Sequence, residues 1–309
     1  MLRYTVERLL WLIPTLVAMA LVTFIVMHAT PGSPLDPQSP NANSLPPELQ
    51  KNLAEKYGLD KPLPVQFLRF VWNAVQLNFG PSYMYKTRAV TEIIGNTFPV
   101  SLQLGAMAFI VAVLGGITLG VLAATHQNSV IDYICVFIAT LGVSLPNFVI
   151  GILFIVLFCL TLRWFPVSGW DTPSHWVLPT LTLSLEPMAI IARYTRSSVL
   201  DVIRSDYVRT ARAKGLRERL VVNRHVLKNA LIPVVTVLGP IFANIGTGSF
   251  FVELIYSIPG IGKFFVTSMS GRDYNMIMAV ILLYGVFLGI MNLMVDLVYG
   301  FLDPRIRYD

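Results

Sequence analysis

Apolar residues in this chain gather into long runs rather than alternating with polar ones. Six runs approach the roughly 20 residues that a helix needs to cross a bilayer: 9–29, 98–124, 133–162, 176–192, 230–252 and 275–302. The second and third are free of charge, as is the fifth. The fourth is short and holds Glu186, and the sixth holds Asp296 near its end. Run 133–162 is longer than a bilayer requires, so a kink is expected at Pro146. Arg3 and Arg8 precede the first run. That run exceeds the apolar core of a secretory signal and no small-residue cleavage site follows it, so an uncleaved first span is expected. The predicted fold class is an all-α membrane protein with six transmembrane helices.

The polar stretches predict two further pieces of structure. Residues 30–97 open on Pro31, Pro34, Pro37, Pro40, Pro46 and Pro47, a cluster that favours extended chain. Pro47 can start a short helix that Gly58 ends. Pro64 can start another running toward Asn78, with Phe67, Leu68, Val71, Trp72 and Val75 on one side, suited to the outer membrane face or the span ends. Residues 193–229 are too polar to span. They have helix formers around 207–214, then Gly215 as a helix stop, then a second helical stretch over 216–228 leading into Leu231-Ile232-Pro233. The expected organisation is an N-terminal span with an extracytoplasmic segment (1–96), a transmembrane domain (97–302) and a short tail (303–309).

Composition agrees. Hydrophobic residues make up 55% of the chain and charged residues 13%, with a mean hydropathy of +0.65. That excludes a soluble domain, which carries about a quarter charged residues, and a disordered chain. The net charge of +6 does not call for a nucleic acid. Ten of the 23 Lys and Arg residues lie in 193–229, whereas the short loops on the opposite side hold only Arg163, Lys263 and Arg272. The basic loop is therefore expected in the cytoplasm, and six spans put both termini there. Arg3, Arg8, Arg305 and Arg307 agree.

Catalytic and cofactor chemistry is missing. Gly260-Ile261-Gly262-Lys263-Phe264 lacks the upstream glycine of a nucleotide loop, and Phe264 stands where a magnesium-binding hydroxyl belongs. His28, His126, His175 and His225 are scattered, and Cys135 and Cys159 lie in apolar runs without metal spacing. No cofactor, metal or enzymatic activity is expected. Uphill transport would then draw its energy from ions coupled through buried carboxylates, or from a separate ATPase that moves the cytoplasmic loop. A short helix ended by glycine below the membrane suits the second, because it forms a knob that fits a partner's cleft.

The run DYVRTARAKGL (206–216) resembles the coupling motif of permease subunits of binding-protein-dependent ABC importers, and most of all their dipeptide, oligopeptide and nickel branch. FFVELIYSIPGIG (250–262), Gly271-Arg272-Asp273-Tyr274, the stretch 292–307, and Arg8, Pro14, Thr23-Phe24 and Pro31-Gly32-Ser33-Pro34 match in the same order, so the resemblance covers essentially the whole chain. It implies a B-type subunit with the type I importer permease fold in a bacterial or archaeal plasma membrane. It also implies a second homologous permease that supplies the other half of the pathway, two cytoplasmic ATPase subunits and an extracytoplasmic solute-binding protein. Di- or oligopeptides or related small solutes are the implied cargo. The coupling positions are Arg209, Thr210, Ala211 and Gly215, with Tyr207 and Lys214 in the same segment. Arg209-Thr210-Ala211 replaces the Glu-Ala-Ala of the wider family, and Leu77-Asn78-Phe79-Gly80 lacks an aspartate found there in many of the branch's members.

Candidate pathway residues are the polar groups inside the runs: Glu186, Asn147, Asn244, Thr247 and Glu253. A carboxylate at the bilayer centre costs about 2.5–3.5 kcal/mol and so faces protein or water. Glu186 can meet a peptide's amino end or form an interhelical pair. Asp296 can pair with a cytoplasmic arginine. Gly239-Pro240 offers a flex point. Gly116 and Gly120 form a small-residue face for packing inside the subunit or on a second permease. The alternative function is an ion-coupled secondary transporter with Glu186 and Asp296 as proton relays. The lack of a repeat among the six runs disfavours it.

Overall fold

A computed structural model describes residues 2–30, 58, 60–85 and 88–302. The proline cluster, the helix expected from Pro47 and the arginines Arg305 and Arg307 lie outside the described residues. The chain divides into two compact units, Leu2–Ser101 with Pro259–Gly289, and Leu102–Ile258 with Ile290–Asp309.

The first unit holds α1 (Leu2–Ala29), α2 (Leu63–Val75), the start of α3 (Val90–Thr125), α11 (Ile261–Ser270) and the start of α12 (Tyr274–Leu302). Ala20, Phe24 and Met27 of α1 pack against Ile277 and Met278 of α12, and Phe67 and Phe70 of α2 cover them. Val90 and Ile93 of α3 bury against Ile261 of α11 and Met276 and Ala279 of α12. Asp273 caps α12 by accepting the Met276 N–H at 3.2 Å. The same carboxylate accepts the Ser82 hydroxyl and the Met84 N–H, which pins the 80–85 segment to that cap. Helix α2 starts where its proline predicts, since Pro64 in the first turn has no N–H to leave unpaired. Its apolar side is not single, as the sequence reading had it. Phe67 and Phe70 turn toward the core, while Leu68, Trp72 and Val75 form a second stripe that is 67%, 68% and 74% exposed. An i, i+3 edge and an i, i+4, i+7 edge occupy different sides of a helix with 3.6 residues per turn.

The second unit holds the rest of α3, then α4 (Val130–Ser144), α5 (Asn147–Phe154) running into a wider π-helical turn (Ile155–Thr161), and α6 (Pro173–Ile203). Next come α7 (Asp206–Ala213), α8 (Glu218–Val221), a second π turn (Val222–Val226), α9 (Leu227–Gly246), α10 (Phe250–Ile255) and the end of α12. Helices α4 and α5 bend by 106° at the expected proline. Pro146 drives Leu145 out of the helical region to φ −100°, ψ 129°, and starts α5 without an N–H of its own. Helix α6 packs through Ile191 on Ala112 of α3 and Val234 of α9, and through Ala189 and Ala192 on Ala139 of α4. A Cβ at Gly116 would lie 2.8 Å from the Met188 carbonyl oxygen, and one at Gly120 2.6 Å from that of Ala192. The small-residue face of α3 therefore packs inside the subunit, on α6. Pro233 and Pro240 both lie within α9, and Gly239 abuts Val295.

Among the described residues, four helices are long and apolar enough to cross a membrane: Thr5–Ala29, Val90–Thr125, Glu218–Ile255 and Tyr274–Leu297. The bent pair Val130–Ser144 and Asn147–Thr161 makes a fifth if it counts as one span. The stretch 176–192 lies within α6 and is not among them. It carries Glu186 and two prolines, and the helix runs on through Arg193 and Arg196.

Candidate functional site

The segment 193–229, expected in the cytoplasm, forms a compact elbow after the end of α6. Helix α6 ends at Ile203, and Ser205 in extended backbone turns the chain into α7. Asp206 stands in the first turn of α7, where the helix dipole favours a negative charge. Val208 and Ala211, one turn apart, are the inward edge. They bury against Val199, Val221, Val226, Ala230 and Ala124. The helix stops at Gly215, whose φ of +75° is reached at no steric cost only by glycine. No atom lies within 4 Å of where its Cβ would be, so the backbone angle alone demands the glycine.

Two hydrogen-bonded ties hold the elbow. Arg212 donates twice to the Glu218 carboxylate, at 2.7 and 3.1 Å, across the Gly215 turn. This contact also raises the Arg212 guanidinium above its usual range. Asn229 donates to the Tyr207 hydroxyl at 2.8 Å and joins α7 to the first turn of α9. Arg209, Thr210, Lys214 and Gly215 are exposed, Tyr207 is half-exposed, and Ala211 is buried. Of the predicted coupling residues, Ala211 is thus an anchor, Tyr207 is partly engaged within the chain, and the remaining four form an outward surface. The second helical stretch expected over 216–228 starts at Glu218 and runs through α8 and the second π turn into α9. From Glu218 on the helix runs without a break into α9, and the Arg212–Glu218 contact ties α7 to its start across the Gly215 turn.

A further clasp escaped the sequence reading. Arg196, expected only as a charge that sets topology, forks onto Asp132 with two hydrogen bonds of 2.8 Å. The Asp132 side chain is 3% exposed and also accepts the Asn128 N–H at 3.0 Å. Arg204 donates to Gln127 at 3.1 Å. Together these fix the 126–129 turn to α6. The one signal in the sequence is an aspartate three residues after Ser129 at the head of an apolar run, the spacing of a helix N-terminus.

Two candidate pathway residues meet. The Asn147 amide donates to Glu186 at 3.1 Å, just after the α4–α5 break. Glu186 is exposed and Asn147 half-buried. Asn244 is exposed on α9, and the Thr247 hydroxyl donates back to the Ala243 carbonyl at 3.0 Å. Glu253 is buried and accepts the Ser249 N–H at 3.2 Å, which caps α10. The sequence reading missed Tyr256. It is 1% exposed, and its hydroxyl meets Thr182 at 3.0 Å and donates to the Gly151 carbonyl at 3.3 Å. Among the described residues, no group of three His, Cys, Asp or Glu side chains could hold a metal ion.

The chain is similar to known proteins along its whole length. Residues 116–308 match the family described as "Binding-protein-dependent transport system inner membrane component", and residues 1–105 match its N-terminal counterpart. The dipeptide transport system permease protein DppB of Bacillus subtilis is 44% identical over 307 residues, covering 99% of this chain and 98% of that protein. The oligopeptide transport system permease protein OppB of Escherichia coli K12 is 40% identical, with full coverage of both. A chain from an inward-facing structure of the MetNI methionine ABC transporter aligns with a TM-score of 0.56 at 14% identity, covering 68% of this chain and 96% of that one. A chain of an amino acid ABC transporter solved with histidines aligns at 0.52 and 15% identity, covering 68% and 94%. These two share the fold. This is a multi-pass membrane protein, and it belongs to the family of inner-membrane permease components of binding-protein-dependent ABC transport systems, in the branch that holds the DppB and OppB permeases.

Proposed function

We propose that this chain forms half of the translocation pathway of an ATP-driven importer of di- or oligopeptides or related small solutes. ATP is hydrolysed on two cytoplasmic ATPase subunits, a second homologous permease supplies the other half of the pathway, and an extracytoplasmic solute-binding protein delivers cargo. The assembly sits in a bacterial or archaeal plasma membrane. The chain crosses six times, with the 176–192 stretch of α6 as the additional span and both termini inside. Residues 97–302 form the transporting domain, 1–96 the N-terminal span and outer segment, and 303–309 a cytoplasmic tail.

The observation that carries this reading is the elbow. Val208 and Ala211 fasten it from within, Arg209, Thr210, Lys214 and Gly215 face outward, and the Arg212–Glu218 contact ties it to the helix that runs from Glu218 into α9. A surface of this kind can be pushed by a soluble partner and transmit the push. Glu186 and Asn147 are proposed to line the pathway, together with Asn244, Thr247 and Glu253.

The ion-coupled alternative, with Glu186 and Asp296 as relays, predicts a different energy source. The test is uptake of labelled peptides by vesicles containing the whole assembly. Uptake that follows ATP and survives collapse of the proton gradient is expected. Uptake that follows the gradient and ignores ATP would overturn the assignment.

A further inference from the structure

Helix α6 carries a line of polar residues beyond the coupling machinery. Glu186, Arg193, Ser197, Asp201 and Arg204 fall within one narrow face, because steps of seven, eleven, fifteen and eighteen residues return close to the same angle on a helix of 3.6 residues per turn. At 1.5 Å per residue the line is about 27 Å long. All five are exposed within the chain. The lower part of this face and the adjoining face of α4 enclose a cleft of about 1040 Å³. Its lining mixes Val136, Val143 and Leu200 with Thr140, Ser144 and Ser197. Ligand sites typically measure about 300–1,000 Å³.

Three arginines edge the cleft, and they are not equivalent. Arg196 is forked onto Asp132, and Arg204 donates to Gln127. The Arg193 side chain makes no hydrogen bond or ion pair among the described residues and lies seven residues, about 10 Å of helix, below Glu186. A charge this close to an apolar run faces protein or water rather than lipid tails. An anionic lipid would need a pocket of one sign, whereas Asp201 sits in this cleft and Glu186 above it. Charges that alternate along a track suit a molecule that is itself zwitterionic.

Resting on the proposed function, we infer that this cleft is an inner vestibule of the pathway, entered by cargo after Glu186, and that Arg193 receives the cargo's carboxylate there. Small polar and apolar side chains around it tolerate varied cargo side chains, and the unpaired guanidinium reads the terminal carboxylate that every free peptide carries.

The test uses the whole assembly in inside-out vesicles, with a thiol introduced by Ser197→Cys one turn from Arg193. Its labelling by two small membrane-impermeant reagents, one anionic and one cationic, is timed. The expected result is roughly tenfold faster reaction with the anionic reagent, after correction for intrinsic reactivity. Arg193→Gln in the same background should abolish that preference, and Arg193→Lys should restore it. Millimolar trialanine should slow the labelling, and its C-terminal amide should not. A thiol that neither reagent reaches means a face covered by lipid or by the second permease, and overturns the inference. So does a preference that Arg193→Gln leaves intact, or equal slowing by acid and amide. ATP-dependent uptake by the unmodified assembly is read separately, so failure of the vestibule and failure of the importer assignment are distinct results.

Discussion

Helices α2 and α7 both lie outside the long apolar runs, and both dock through a narrow apolar edge: Phe67 and Phe70 in the one, Val208 and Ala211 in the other. Their outer faces differ. Helix α2 turns out Leu68, Trp72 and Val75, whereas α7 turns out Asp206, Arg209, Thr210 and Lys214. An exposed tryptophan with aliphatic neighbours suits the bilayer interface, where an amphipathic ring meets headgroups. Exposed charges on a helix of eight residues suit water and a soluble protein. Docking edges so alike show that the inner face only fastens a short helix. On the proposed function, the outer face then decides what each helix meets.

The sharpest way to break this comparison is to unfasten α7. Val208 is completely buried. Val208→Asp would place a carboxylate in an apolar cluster, at a cost of several kcal/mol, and α7 would leave its seat. ATP-driven uptake should fall by about a hundredfold or more while the subunit still inserts, as judged by its amount in washed membranes. Val208→Ile, which keeps the edge apolar but adds a methylene, should cost about 1–3 kcal/mol. Uptake that survives Val208→Asp would mean that the seated elbow transmits nothing.

On α2 the outer face is the one to change. Trp72→Asp should leave the Phe67 and Phe70 contacts in place but remove the ring from the interface. The lost apolar burial is worth about 2 kcal/mol. Helix α2 should then become easier to cleave by protease added from outside, and uptake should fall a few-fold. An equal change in both measurements from Trp72→Gln and from Trp72→Phe would show that this face meets water rather than lipid.

Gly215 separates backbone shape from contact. Its φ is +75° and the space around it is open. Gly215→Val should strain the turn by about 1–2 kcal/mol and reduce uptake roughly tenfold at undiminished ATPase assembly. Gly215→Asn, which tolerates the left-handed region, should be nearly neutral. Equal losses from both variants would indicate a partner packed against the glycine instead of a strained turn.

The parts of this architecture that were legible in the sequence are those a few neighbouring residues decide. Pro146 breaks α4 from α5 because it bars the helical conformation to Leu145, and Gly215 ends the elbow because it accepts a positive φ. The start of α2 follows from Pro64 in the same way. What escaped depends on residues far apart in the chain. Arg196 finds Asp132 across 64 positions, and Asp273 finds Ser82 across 191. No local pattern distinguishes such an arginine from one that merely sets topology. Helix α6 shows a second limit. Its apolar run ends at Ala192, but the helix continues to Ile203, because composition marks where water begins and not where backbone hydrogen bonding stops. Composition alone therefore puts Arg193 in a loop. On a continuous helix it shares a face with Glu186.

Arg209 should give the smallest effect and the clearest assignment of the outer face of α7. Its side chain is 73% exposed, and the one ion pair it makes among the described residues, with Asp206 at 3.7 Å, is exposed as well. Such pairs add little to stability, so Arg209→Ala should leave the thermal unfolding of the isolated subunit in detergent unchanged. If the exposed charge serves a soluble partner, the same variant should loosen the ATPase subunits. Their retention during purification should fall a few-fold, and the loss should grow with salt, because screening acts on what remains of the same interface. A matching loss in the isolated subunit's stability would instead return Arg209 to the chain's own fold. In that case the contrast between α2 and α7 would rest on their anchors rather than on the surfaces they present.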